Sequence, residues 1–579
     1  MKKILFLIMA LIASSPLATA KDKTVELCIL ETSDVHGSFF PYDFINRTPC
    51  KGSLARLSTY VKRERERFGD NLLLLDNGDI LQGQPTVYYY NFIDTAATHV
   101  TAAMMNYLRY DAGNMGNHDM ETGHAVYDRW IRQCNFPILG ANIIDTASGK
   151  PYLPPYSVFN RDGVKVAVIG FLTPSIPAWL PENLWAGLRF DDIEESARKW
   201  VKTVREKENP DVVVAIIHSG RDHTHTTGNW VENASQLVAE RMPGIDIVLF
   251  GHDHQFFCDS VKNANGNEVW MLNPANKAEK VASAHVSLTL RKGKVVKKEI
   301  SGRLVDISAL PVDEDFMAEF KPQYDTVDKF VSQKIGSISK TISTRNAFFG
   351  PSEFIDLTHS LQLAISGAEV SMAAPLSFDS SIKEGDILVS DMFKLYKYEN
   401  MLYTMRLSGR EIKNYLEMSY DLWTNRMENA DDHLLLLKEV PGNGDDGARA
   451  LFQNFSYNFD SAAGIRYTVD VTKPRGEKIN ILSMADGSAF DMDKDYSVAV
   501  NSYRGNGGGG LLTEGAGIPV EKLNDRIIKA TDKDLRFYLM EYIKKSGAIC
   551  PTTLDLWKFI PEEWTVPAAK RDYKLLFKD

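Results

Sequence analysis

Cysteine is scarce: Cys28, Cys50, Cys134, Cys258 and Cys550 are the five among 579 residues, an odd number with no CxxC spacing. That excludes a disulfide framework and a thiolate zinc module. A membrane-spanning run is lacking at the N-terminus, where the apolar stretch from Ile4 to Ala13 is ten residues long, too short to cross a bilayer. Positive charge is also short, with 66 Lys and Arg against 76 Asp and Glu, a net charge of −10. This disfavours a nucleic-acid polymer or an acidic membrane surface as partner and leaves a small ligand open. No internal repeat or low-complexity tract stands out.

What is present begins with Lys2 and Lys3, the apolar run, and "ATA" ending at Ala20. A basic start, a short apolar segment and a small-x-small site predict a removable signal peptide over residues 1–20, hence a periplasmic or secreted protein without a membrane anchor. The rest, 44% hydrophobic and 25% charged, is too long for one core and predicts two domains. Residues 21–312 form the first, 313–338 a linker helix, and 339–579 the second.

From residue 25 to about 255 short apolar runs alternate with amphipathic stretches. "VELCILETSD" and "NLLLLDNGD" read as strands buried on both faces, and "SLARLSTYVKRERERF" between them as a helix. "GVKVAVIGF", "DVVVAIIHSG" and "GIDIVLFGHDH" continue an α/β pattern. "VSLTLRKGKVVKKEISGRLVDI" reads as a hairpin that finishes this domain. The second domain mixes helices, alternating strands and glycine-rich turns, an α+β composition.

The strands end in polar residues that bind metals well. They are Asp34 and His36, then Asp79, then Asn117 and His118, then His218, then His252 and His254. Each alone is a commonplace turn. In an α/β sheet, however, the carboxyl ends of strands gather in one crevice, so these five tips converge. If they meet, Asp34, His36 and His254 can chelate one divalent ion and Asn117, His218 and His252 a second, with Asp79 bridging the two. Oxygen and imidazole donors suit zinc, manganese, cobalt or iron, and the residues do not choose among them. Such a pair supplies hydroxide at neutral pH for attack on phosphorus, so phosphate-ester hydrolysis is the expected reaction. His223 and His225, in "RDHTHTTGNW", read as a polar loop.

The order DxH, GD, GNH, H and GHxH resembles that of the calcineurin-like metallophosphoesterases, which implies a four-layer α/β/β/α domain. The resemblance assigns His118 to the phosphate, as a stabiliser of transition-state charge or an acid for the leaving oxygen. In the nucleotidase branch this histidine pairs with an aspartate three residues on. Here that position is Glu121, with Asp119 nearer and His124 close by, so its partner stays open.

"APLSFDSSIKEGDILVSDMFKLYKYENMLYTMRLSGREIKNYLE", "NFDSAAGIRYTVDVTKP" and "YSVAVNSYRGNGGGG" resemble the carboxy-terminal domain of secreted 5′-nucleotidases and of bacterial 2′,3′-cyclic-nucleotide 2′-phosphodiesterase/3′-nucleotidases. The resemblance implies that this smaller domain holds a nucleoside between two aromatic rings, Tyr398 and Tyr503, with Phe459 in reserve. Arg504 and the glycines from Gly507 to Gly510 would complete the substrate site. The 5′-nucleotidases carry "NGGGxR" where this chain reads "SMAAPLSFDSSIKEGDI", without arginine. That favours an enzyme for 2′,3′-cyclic nucleotides and 3′-nucleotides. The alternatives are a 5′-nucleotidase or UDP-sugar hydrolase on the same scaffold, and a nucleotide-binding protein without turnover. A monomer acting on a small nucleotide is expected.

Overall fold

Along the strand Lys23–Thr32, Leu27 and Ile29 face one way and Cys28 and Leu30 the other, and all four are buried. A strand covered on both sides needs a layer on each face. The computed structural model describes residues 22–222, 226–227, 230–440 and 449–577. The predicted signal peptide, His223 and His225 lie outside the described residues. Among those described, no helix is long and apolar enough to cross a membrane.

Two six-stranded sheets build the first domain. One runs Lys294–Asp306, Lys280–Arg291, Lys23–Thr32, Leu72–Asp76, Ala112–Asn114, Ile138–Leu139, and the other Phe256–Lys262, Glu268–Pro274, Ile247–Phe250, Val212–His218, Val164–Leu172, Tyr156–Arg161. Leu27, Ile29, Leu73 and Leu75 of the first pack against Val166, Val168, Val214 and Ile216 of the second in one apolar layer. Outside the first sheet lies the helix Leu54–Phe68, whose N-terminus is capped by the Ser53 hydroxyl accepting from Arg56 N–H. Outside the second lies Ile193–Lys207, capped by Asp192 and burying Ala197, Val201 and Val204. This is the four-layer α/β/β/α arrangement. The predicted hairpin closes through Lys292 and Gly293, both at positive φ (53° and 76°), which suits a two-residue turn.

The linker departs from the single predicted helix. Asp313 caps a short helix, Glu314–Glu319; Phe320 then leaves helical geometry (φ −98°, ψ 12°), and a second helix, Lys321–Val331, begins with Pro322 in its first turn. Proline cannot donate to the preceding turn, so the helix restarts there. Lys334–Ile338 is a strand, between Gly385–Leu388 and Ala548–Ile549. Both helices pack on the first domain, Phe316 and Phe320 against Tyr107 and Phe330 against Tyr89.

The second domain centres on a five-stranded sheet, Ser461–Ala463, Val370–Ala373, Asp495–Asn501, Met401–Ser408, Ile527–Asp534. It is joined to the first by a buried contact: Tyr88 Oη donates to Asp534 Oδ2 (3.2 Å), and the Arg536 guanidinium lies over the rings of Tyr88 (4.9 Å) and Phe393 (4.1 Å). Arg536 also donates to Glu399 Oε1 (2.9 Å) and to the carbonyls of Tyr396 and Lys397, fixing the segment that carries Tyr398.

Candidate metal centre and substrate cleft

All five strand tips open at the same end of the sandwich. Buried asparagines tie the sheets together beneath them: Asn77 Nδ2 donates to the Ile217 carbonyl (3.0 Å), and Asn114 Nδ2 to Asn77 Oδ1 (3.0 Å) and the Phe171 carbonyl (2.8 Å). Asp34, His36, Asp79, His252 and His254 have φ of 52°, 50°, 57°, 75° and 55°. Side chains other than glycine rarely adopt the left-handed region, and strain of this kind gathers at functional sites. The glycines that precede the tips admit close approach. A Cβ on Gly116 would sit 2.2 Å from Asp79 Oδ1, and one on Gly251 2.4 Å from Asp34 Oδ2.

The tips form two groups, Asp34 with His36 and His254, and Asp79 with His218 and His252, each with its ligand atoms within 4.8 Å of one another. In the first, His36 Nε2 and His254 Nε2 face each other at 3.1 Å, and His254 Nε2 stands 3.2 Å from Asp34 Oδ1, a buried oxygen that accepts no hydrogen bond. In the second, His218 Nδ1 donates to the Asn77 carbonyl (2.7 Å), which leaves the lone pair of Nε2 directed at Asn117 Oδ1 (3.1 Å) and Asp79 Oδ2 (3.2 Å). His252 Nδ1 points at the same Asn117 oxygen (2.8 Å), while its Nε2 lies 3.1 Å from Glu232 Oε1. Lone pairs aimed at one another are repulsive unless a cation lies among them, so the donor set fits divalent metals of the oxygen and imidazole type.

The buried carboxylates demand positive charge. Burial alone would raise Asp34 and Asp79, yet charge on His254 holds Asp34 low, and charge on His218 and His118 holds Asp79 well below the carboxylate range. Asp79 in turn outweighs burial at His218 and raises it to about 9, so a proton on its imidazole supplies the charge that a metal ion would bring in displacing it. Burial, with the charge of His254, pushes His36 down to about 3, which keeps its imidazole neutral and able to ligate.

His118 is a quarter exposed to the cleft, and its Nδ1 lies 2.6 Å from Glu121 Oε2. Burial would lower its pKa, but Asp79 and Glu121 outweigh burial and raise it to about 10. Among the candidates for its partner, Glu121 is the one in contact. Asp119 accepts from the backbone N–H groups of Asp79, Ile80, Leu81 and Gly116, and His124 is engaged by Asp128 and the Ala186 carbonyl.

The second domain arrives over this centre. Tyr398 lies parallel to His118, ring centroids 6.2 Å apart and 4° between planes. Tyr503 meets the edge of Tyr457 (6.4 Å, 89°). Arg504 turns inward. Its guanidinium, 3% exposed, bonds Asp460, Asn458 and the carbonyls of Tyr457 and Gly508, leaving no donor for a substrate. Phe459, the reserve ring, is fully buried against Trp423 (5.6 Å, 1°). Gly507 has φ 103° and starts a tight turn closed by Gly510 N–H donating to its carbonyl (3.0 Å), and a Cβ on Gly508 would strike the Tyr503 ring at 2.5 Å. The glycine run is thus required by Tyr503 itself.

Three residues of the cleft escape the sequence reading. Tyr457 lies two residues before Phe459 in an aromatic-rich stretch. Trp179 stacks on His252 (5.6 Å, 26°), and its carbonyl accepts from Asn506 of the glycine loop (3.5 Å). Glu232 carries no signal in sequence.

Residues 28–256 match the family model of calcineurin-like phosphoesterases, and residues 334–514 that of the 5′-nucleotidase C-terminal domain. A trifunctional nucleotide phosphoesterase protein, YfkN, of Bacillus subtilis is 28% identical over 96% of this chain, and the chain spans 41% of that protein's length. A 2′,3′-cyclic-nucleotide 2′-phosphodiesterase/3′-nucleotidase of Salmonella typhimurium is 27% identical, covering 95% of this chain and 91% of that protein. The solved 5′-nucleotidase precursor of Thermus thermophilus shares the fold at TM-score 0.64 and 21% identity, over 93% of this chain and all of that one.

Proposed function

We propose that this chain, in which a calcineurin-like phosphoesterase domain is followed by a 5′-nucleotidase C-terminal domain, hydrolyses 2′,3′-cyclic nucleotides and 3′-nucleotides with two divalent metal ions. The observation that carries the reading is the pair of converging groups, Asp34, His36 and His254 beside Asp79, His218 and His252. Asp34, His36 and His254 would hold one ion, Asn117, His218 and His252 the other, and Asp79 both. Ions bound there neutralise phosphoryl oxygens and make a hydroxide nucleophile available at neutral pH.

The chain's own groups do the rest. Glu121 accepts the Nδ1 proton of His118, which leaves Nε2–H to donate to the leaving oxygen; the raised pKa keeps that proton in place at neutral pH. Tyr398 lies parallel to His118 at 6.2 Å between ring centroids, which brings the second domain to the edge of the reacting centre. Tyr503, braced edge to face by Tyr457, would offer its π face to the base, a contact that tolerates any nucleobase.

Preference for cyclic and 3′ esters rests on the arginine-free segment "SMAAPLSFDSSIKEGDI" and on the inward turn of Arg504. Neither supplies a guanidinium to grip a 5′-phosphate. The test is phosphate release from 2′,3′-cyclic AMP (with phosphatase added), 3′-AMP, 5′-AMP and a UDP-sugar in parallel. Higher kcat/KM for the first two supports the reading; higher values for 5′-AMP or the UDP-sugar reassign the substrate and leave the metal centre standing.

A further inference from the structure

His252 is held on three sides. Trp179 covers one face of its ring (5.6 Å, 26°), Nδ1 faces Asn117 Oδ1 (2.8 Å), and Nε2 lies 3.1 Å from Glu232 Oε1. A carboxylate has only lone pairs to offer, so the proton of this imidazole belongs on Nε2, and Nδ1 is the atom left to ligate. His36 and His218 have their tautomers set differently, by backbone carbonyls of Gln82 (3.1 Å) and Asn77 (2.7 Å).

Glu232 owes its position to a rigid base. It follows the excursion that leaves the strand Val212–His218, and the returning chain is stitched to the departing one. Ser219 Oγ donates to the Glu232 carbonyl (2.5 Å), Gly220 N–H donates to Asn233 Oδ1 (3.1 Å), Ala234 N–H donates to Ser219 Oγ (2.8 Å), and Ser235 Oγ donates to the Ser219 carbonyl (2.7 Å). A Cβ on Gly220 would meet Asn233 Oδ1 at 2.5 Å, so the two segments are pressed together. Both side chains of the pair are largely withdrawn from water, His252 13% and Glu232 14% exposed.

Resting on the two-metal reading above, we infer that Glu232 is a positioning residue for the second metal site: it fixes the tautomer and ring plane of His252 so that Nδ1 is presented to the ion. Carboxylates behind a ligating histidine typically matter by roughly 10- to 100-fold in metal affinity. Glu232 reaches the metal through His252, so its removal weakens the ion held by Asp79, Asn117, His218 and His252 and spares the one held by Asp34, His36 and His254.

The experiment titrates full-length wild type, Glu232→Ala and Glu232→Gln, each stripped by chelator, with buffered zinc and, separately, manganese. The stripped variants are compared by thermal unfolding, and kcat and KM for 3′-AMP are measured at limiting and saturating metal. The expected result is two equivalents in each protein, with one bound roughly 10- to 100-fold more weakly in Glu232→Ala. Glu232→Gln, whose amide oxygen still accepts from Nε2–H, should recover most of that loss. Activity of Glu232→Ala should return in excess metal with KM unchanged. Wild-type affinity for both equivalents in Glu232→Ala, or a raised KM with intact affinity, overturns the inference and leaves the two-metal reading in place. Fewer than two equivalents in wild type overturns that reading itself, and the inference with it.

Discussion

His118 and Glu121 form a pair one helical turn apart, Nδ1 to Oε2 at 2.6 Å, at the mouth of the cluster of strand tips. If His118 donates the proton to the leaving oxygen, His118→Ala should lower kcat for 3′-AMP by roughly 10²- to 10⁴-fold. Glu121→Gln should cause a smaller loss with KM little changed, and both variants should keep two metal equivalents. Asp119→Asn is the contrast, since Asp119 binds four backbone N–H groups, and its main effect should be a lower unfolding midpoint. Steady-state kinetics with metal analysis and thermal unfolding separate the three.

The tyrosines should divide by kinetic parameter. If Tyr503 stacks on the base, Tyr503→Ala should raise KM by an amount corresponding to about 1–3 kcal/mol of stacking, and Tyr457→Ala, which removes the ring that braces it, by less. Tyr398→Ala removes the ring parallel to His118 and should act mainly on kcat. A KM effect of Tyr398→Ala equal to that of Tyr503→Ala would place Tyr398 at the base site.

Arg504 and Asp460 are each 3% exposed in their side chains and bonded to one another. Removing one partner of such a pair leaves the other charged and buried, at a cost of about 3–5 kcal/mol. Arg504→Met should therefore unfold at lower urea concentration. A stable variant with a raised KM would mean that the guanidinium serves the substrate.

Acid should destabilise the protein through histidines remote from the metals. His359, between the hydroxyls of Ser371 and Ser461, and His99, against Asn91, are each lowered to about 3 by burial, with Arg129 adding to the shift at His99. Each is neutral when folded and takes a proton when unfolded below the ordinary value near 6.5. Their stabilising contribution is complete above pH 6.5 and is lost as pH falls toward 3. The slope is at most about 1.4 kcal/mol per pH unit for each histidine. His359→Gln should flatten the pH dependence of the urea midpoint between pH 6 and 4, and an unchanged slope would count against it.

What could be read from sequence divides along a physical line. The converging tips were legible because an apolar run buried on both faces makes a strand, and parallel strands must bring their carboxyl ends together, so Asp34, Asp79, His218 and His252 needed no knowledge of side-chain direction. Arg504 was misread because its direction depends on Asp460, forty-four positions away. Glu232 and Trp179 reach His252 only through loops whose course is set by tertiary hydrogen bonds. The linker divides at Pro322, where the helical pattern of 313–338 restarts because proline lacks the N–H of the preceding turn.

The central claim is a two-metal phosphohydrolase, and the direct measurement is phosphate release from 3′-AMP by chelator-stripped protein as zinc or manganese is added stepwise. The account predicts no turnover without metal and activity that rises to its limit as the second equivalent binds, with Asp79→Asn losing both metal and turnover. Full turnover in the presence of chelator, or full activity in Asp79→Asn, would contradict it.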